Sequence, residues 1–239
     1  MLLNAQRLIH KPLAPIKNKK MRLKLFILLG ILLIIGCKEN NPKIPIESKN
    51  SELITSELID SLLKRKLELI RVEDQTLRLL LPEVNKKFEP NSDERKFFRR
   101  LIAEQDSICE IKVTEILDKY DWISSDRVGY FANQTLWLVI QHAPLETQEK
   151  YLPKLRESVE NGKSEGWYLA FLEDRILMYK GEKQLYGSQA KPNNETGKTH
   201  IYPIENVSAV NERRAKINLK SIEDYAEQNG YVFDINDHK

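Results

Sequence analysis

Cysteine, glycine and histidine are scarce: two, nine and four residues respectively among 239. Two cysteines cannot build the multi-bridge framework of a small secreted scaffold. No apolar run approaches the roughly 20 residues a membrane-spanning helix needs; the longest, LFILLGILLII at 25–35, has eleven. Neither sign of charge dominates, with 38 basic side chains against 35 acidic ones. No GxSxG elbow, P-loop, GxGxxG or HExxH occurs in the chain. His10 sits near the N-terminus and His238 near the C-terminus. His142 and His200 alone cannot build a histidine-rich zinc site, so neither metal nor cofactor is expected.

What is present is a globular composition, 41% hydrophobic and 31% charged. That excludes a polytopic membrane protein, a collagen-like chain and a wholly disordered one. The length suits one domain with appendages.

The N-terminal segment carries seven basic residues, Arg7, Lys11, Lys17, Lys19, Lys20, Arg22 and Lys24, and no acid before Cys37. A basic region, a short apolar run and a small-residue exit together predict a secretory signal peptide over residues 1–36. Its end, Ile34-Ile35-Gly36-Cys37, resembles the lipobox of bacterial lipoproteins, and Met21 offers an alternative start. That resemblance implies lipidation at Cys37 and anchoring in the bacterial cell envelope. Lys38 following Cys37 resembles the sorting pattern of the outer rather than the inner membrane. Without the signal, 31 basic and 35 acidic residues remain. No nucleic-acid partner is expected, because the basicity belongs to the targeting segment. Cys109 then has no partner and reads as a buried thiol.

Residues 37–50 comprise Cys37 and the stretch KENNPKIPIESKN, which predicts a flexible tether. From 51 to 234 the pattern predicts a mainly α fold, a multi-helix bundle-like domain with a small C-terminal β-hairpin. Apolar positions at Leu53, Ile54, Leu58, Leu62, Leu69, Ile70, Leu77 and Leu80 outline a long amphipathic helix ending before Pro82, with a short coiled coil as a variant reading. Asn91 with Glu94 reads as the start of a second helix, whose apolar face runs from Phe97 to Ile116. Further helices end at WLVIQHA, at Asn161-Gly162 and near Gly181. QLYGSQ and THIYPI, separated by AKPNNETGK, predict the hairpin. Short helices follow at 207–216 and 220–229.

Polar residues interrupt two of these apolar stretches: Gln141 and His142 after Leu136–Ile140, and Asp174 and Arg175 within Leu169–Met178. A buried group of this kind needs a partner or a ligand. A helix pair bringing His142 to Asp174 would orient the imidazole as a general base; alternatively Asp174 and Arg175 form structural pairs across helices.

The series WLVIQH (137–142), LEDR (172–175), QLYGSQ (184–189) and NERR (211–214), with Asp74, Gln75 and Arg78 upstream, resembles an uncharacterised bacterial domain family, DUF6624. The likeness covers roughly residues 70–228, departing at Ser188, where the family usually has threonine, and around Trp122. It implies that the polar set shares a pocket. Gln141, Gln184 and Gln189 would supply amide donors and acceptors, Arg175, Arg213 and Arg214 would hold an anionic group, and Tyr186 would supply a stacking face. Arg213 and Arg214 could equally clamp the hairpin by salt bridges.

Two functions remain open. One is a lipid-tethered envelope module that binds a small-molecule or cell-envelope ligand or plays a structural part. The other is a hydrolase or transferase with His142 as base and Asp174 as its orienter. The expected partner is the membrane, through Cys37; the oligomeric state is left open.

Overall fold

The computed structural model describes residues 46–193 and 196–238. Residues 1–36, with the expected signal peptide, and the expected lipidation site Cys37 lie outside the described residues.

The described residues form eight α-helices, two short 3-10 helices (Val207–Ala209 and Ile235–His238) and one two-stranded sheet, so the expected mainly α fold with a C-terminal hairpin holds. The helices are α1 (Ile46–Lys87), α2 (Asp93–Tyr120), α3 (Ser125–Val128), α4 (Tyr130–His142), α5 (Leu145–Glu160), α6 (Gly166–Tyr179), α7 (Val210–Lys216) and α8 (Ile222–Asn229). Strands β1 (Ala190–Pro192) and β2 (Thr199–Ile201) pair antiparallel, Ala190 opposite Ile201. Among the described residues no helix is long and apolar enough to cross a membrane.

Four features differ from the sequence reading. Helix α1 starts at Ile46, so the last five residues assigned to the tether are helical, and it continues through Pro82 to Lys87. A proline inside a helix removes one backbone hydrogen bond, and here the chain keeps its helical course regardless. Helix α2 is capped by Ser92, whose side chain accepts from the Arg95 N–H at 3.3 Å, rather than by Asn91. QLYGSQ is not a strand: it is an irregular loop with one isolated bridge, Gln184 to Ile204, and β1 begins just after it.

Helix α1 buries Leu63, Leu67, Ile70 and Asp74, positions three or four apart on one face. Most of the apolar residues read as its core face, Leu53, Ile54, Leu58, Leu62, Leu69 and Leu80, are exposed instead. The helix is thus apolar on two sides, and the other described elements cover only one. Helix α4 sits at the centre, nine of its thirteen residues buried, which explains why its sequence shows no polar face. One core joins α1, α2, α4, α5 and α6 through residues such as Leu67, Val113, Leu136, Tyr151 and Leu172. A second, smaller cluster of Ile201, Ile204, Val210, Ile222 and Ala226 lies under the hairpin, α7 and α8.

Helix α6 serves both clusters. Its first residue, Gly166, meets the α7–α8 connector so closely that an added Cβ would lie 2.1 Å from the Ile217 carbonyl oxygen. Farther along, Phe171 meets Tyr225 of α8 edge-on, ring centroids 6.5 Å apart.

Candidate functional site

The polar residues singled out by sequence separate into two groups. The first surrounds His142, the last residue of α4. Its Nδ1 lies 3.2 Å from Oδ1 of Asp74, on the buried face of α1. Asp74 has no solvent exposure. Its second oxygen accepts from the Gln75 amide at 2.6 Å. Burial alone would push the Asp74 carboxyl up. The bond and charge of His142, with Gln75 and Arg78, more than offset that and hold it below the usual carboxylate range.

Arg78, one turn beyond Asp74, links this pair to α2. Its guanidinium donates to Asp106 at 2.8 Å and to the Asp74 backbone carbonyl at 3.0 Å, and lies 3.8 Å from the Asp74 carboxylate. Three helices therefore converge on one charged cluster. The His142 side chain keeps 15% of its surface open, and its Nε2 has no protein partner among the described residues. A carboxylate on Nδ1 with Nε2 free is the arrangement of an imidazole held to accept or deliver a proton.

Single donor atoms of Asp74, Asp106 and His142 all lie within 4.8 Å of one another, close enough to share a cation. The sequence reading expected no metal and did not connect these three. The Arg78 guanidinium already sits against both carboxylates, 3.8 Å from Asp74 and 2.7 Å from Asp106, so a cation there would meet a positive charge.

Gln141 precedes His142 and is nearly buried, with Oε1 lacking a hydrogen-bond partner among the described residues; Trp137 Nε1, one turn earlier, and Arg175 Nε on α6 share that condition. Trp137 is fixed by stacking on Tyr168, centroids 5.0 Å apart and planes 13° from parallel. Cys109 is fully buried, as expected. Burial pushes its thiol up, against a hydrogen bond from Gln105 and with the nearby Asp74 and Glu73 adding to it.

The second group is scaffold, which corrects the pairing expected of Asp174. That carboxylate does not meet His142. It is fully buried under the 184–189 loop and accepts backbone N–H bonds from Leu185 (2.7 Å), Tyr186 (3.0 Å) and Ser188 (2.8 Å). Burial still raises its carboxyl above the usual range, although the three donors pull the other way. Gln184 donates to the carbonyls of Gln189 (3.0 Å) and Tyr202 (2.6 Å) and accepts from the Gln189 N–H (2.8 Å). The Gln189 amide donates to Phe171 O and Ser188 Oγ. Gly187, at φ +74°, has no room for a side chain: a Cβ would sit 2.5 Å from Ile222 Cδ1.

The arginine pair acts as the clamp that was one of two readings, but through carbonyls instead of carboxylates. Arg213 donates to Leu185 O (2.8 Å) and Glu205 O (2.6 Å). Arg214, 3% exposed, donates to Lys220 O and Tyr186 O, both at 2.6 Å, with its guanidinium over the Tyr225 ring. The Arg214 guanidinium is buried, whereas that of Arg213 remains partly exposed.

Tyr186 belongs to the loop yet reaches a cleft of about 750 Å³, lined also by Arg156, Glu165, Trp167, Glu173 and Asn218. Burial, with Glu173 and Asp174 close by, pushes its phenol up to about 12. Its hydroxyl meets Glu173, which also pairs with Arg156 at 2.5 Å. Burial pushes the Glu173 carboxyl up even so.

Asp106 was missed by sequence reasoning, since one acid among many on a charged helix carries no local signal. Asp74 and Arg78 stood four apart within the family-like stretch, and that spacing was the available clue.

The fold and this cluster define a helical domain with a buried carboxylate–histidine pair. Residues 63–235 match the model of a family of unknown function, DUF6624, and the chain belongs to it. No curated protein and no solved structure matches the chain.

Proposed function

We propose that the domain is an acid–base enzyme, a hydrolase or transferase, in which His142 is the general base and Asp74 its positioning partner. The Asp74–His142 contact at 3.2 Å carries this reading, because a fully buried carboxylate on Nδ1 fixes the ring and leaves Nε2 to take the proton. Asp74 takes the part that sequence had given to Asp174. Arg78 and Asp106 brace the carboxylate and set the local charge. In this reading the domain is held at the bacterial envelope by lipid on Cys37, close to the outer membrane.

The test is a panel of chromogenic esters, phosphates, amides and glycosides, assayed with wild type, His142→Gln and Asp74→Asn. A general base contributes about 10²–10⁴-fold, so His142→Gln should lose that much turnover and Asp74→Asn somewhat less. No turnover on any class, or equal turnover by His142→Gln, removes the enzyme reading. Anchoring is tested separately: metabolic labelling with a fatty-acid analogue should tag wild type and not Cys37→Ala.

A binding module is the second reading, supported by the cleft beside Tyr186. Its volume lies in the roughly 300–1,000 Å³ range of small-molecule sites. Trp167 and Tyr186 offer aromatic surface there, and Glu173 and Arg156 a polar pair. A small polar ligand that protects Trp167 fluorescence from quenching, with protection lost in Tyr186→Ala, would favour this reading.

A further inference from the structure

The uncovered side of α1 has a regular repeat. Leu58, Leu62, Arg65, Leu69, Val72, Thr76 and Leu79 follow one another at alternating steps of four and three. All seven are exposed, and the five apolar ones keep between 58% and 75% of their surface open. A step averaging 3.5 residues keeps a stripe straight along a supercoiled helix pair and suits no flat or irregular surface equally well. The stripe faces away from Leu63, Leu67 and Ile70, so the core of the domain cannot cover it.

We infer that this stripe is the seam of an antiparallel two-helix coiled coil formed by α1 of two copies of the chain. The orientation and register follow from the two polar positions. A two-fold axis between residues 70 and 71 sets Leu62 opposite the partner's Leu79 and Leu69 opposite the partner's Val72. The same axis sets Arg65 opposite the partner's Thr76, where the hydroxyl accepts from the guanidinium. Lys66 then flanks the seam beside the partner's Glu73. A parallel pair would instead stack Arg65 on its own copy and set Glu68 beside the partner's Glu73, both repulsive.

The seam from Leu62 to Leu79 is about 26 Å long at 1.5 Å per residue. Its eight apolar side chains, at roughly 60–120 Å² each, approach the roughly 1,000 Å² that a specific interface requires. Leu80, 50% exposed beside the seam, and the Arg65 and Lys66 stems make up the remainder. An interface of this size gives a reversible dimer.

Disulfide cross-linking of the full chain tests the pairing. Two tagged versions, Leu62→Cys and Leu79→Cys, are produced separately and together, with the unsubstituted chain as background. The antiparallel register gives a cross-linked dimer only when both versions are mixed, and Leu69→Asp in both should reduce it at least tenfold. Cross-links from either version alone would mean parallel pairing, and no cross-link above background would mean no seam contact; either result overturns the inference. All three positions are exposed, so unchanged circular dichroism should confirm that the variants fold.

Discussion

Asp174 of α6 and Ser188 of the loop before β1 are tied at 2.8 Å, backbone N–H to carboxylate oxygen. With Leu185 and Tyr186 donating to the other oxygen, one side chain shapes a loop that has almost no secondary structure of its own. Asp174→Asn should therefore destabilise: an amide can accept on one oxygen, but its NH₂ then faces an N–H donor. The expected loss is about 1–3 kcal/mol, larger for Asp174→Ala, seen as a lower unfolding midpoint in urea. An unchanged midpoint would mean the loop holds its shape by other means.

Asp74 gives a pH signature. Its folded pKa is lowered, so its contribution is present above the ordinary value of 3.8 and is lost as pH falls through the folded value. The stability gap between wild type and Asp74→Asn should be largest near neutrality and close on acidification below about pH 4. Urea titrations at several pH values measure it; a gap that widens in acid would refute the assignment.

His142 should be the Nδ1–H tautomer when neutral, because the Asp74 carboxylate can only accept. Nitrogen-15 correlation spectra distinguish the two ring nitrogens directly. In Asp74→Asn the preference should weaken or reverse.

Gly187→Ala should be among the most damaging conservative changes. It forces a Cβ onto a residue at φ +74° and against Ile222 and Ile204. Left-handed backbone alone costs about 1–2 kcal/mol, and the contact adds to it. Thermal denaturation should show a drop of several degrees.

Much of the fold was legible because amphipathic periodicity and stop signals are local. The ends at Asn161-Gly162 and Gly181 and the short C-terminal helices follow from such signals. The solvent side of α1 was not legible: a helix apolar on two faces gives no indication of which one the rest of the chain covers. A polar residue in apolar surroundings pointed to Asp174 and the family likeness to Gln184 and Arg214, and all three are buried with their partners. Their partners, however, are backbone groups, and which N–H or carbonyl a side chain finds is decided by loop geometry that has no sequence period. The link from His142 to Asp74 spans 68 positions and depends on how three helices pack.

The double duty of α6 bears on how the molecule comes apart. Its start is wedged under Ile217, its middle feeds Phe171 to Tyr225, and its buried carboxylate organises the loop before β1. Neither cluster can be opened without exposing a face of that helix. Loss of the C-terminal segment would uncover Trp167 and Phe171 and strand a buried charge. The two cores should therefore behave as one cooperative unit and melt in a single transition.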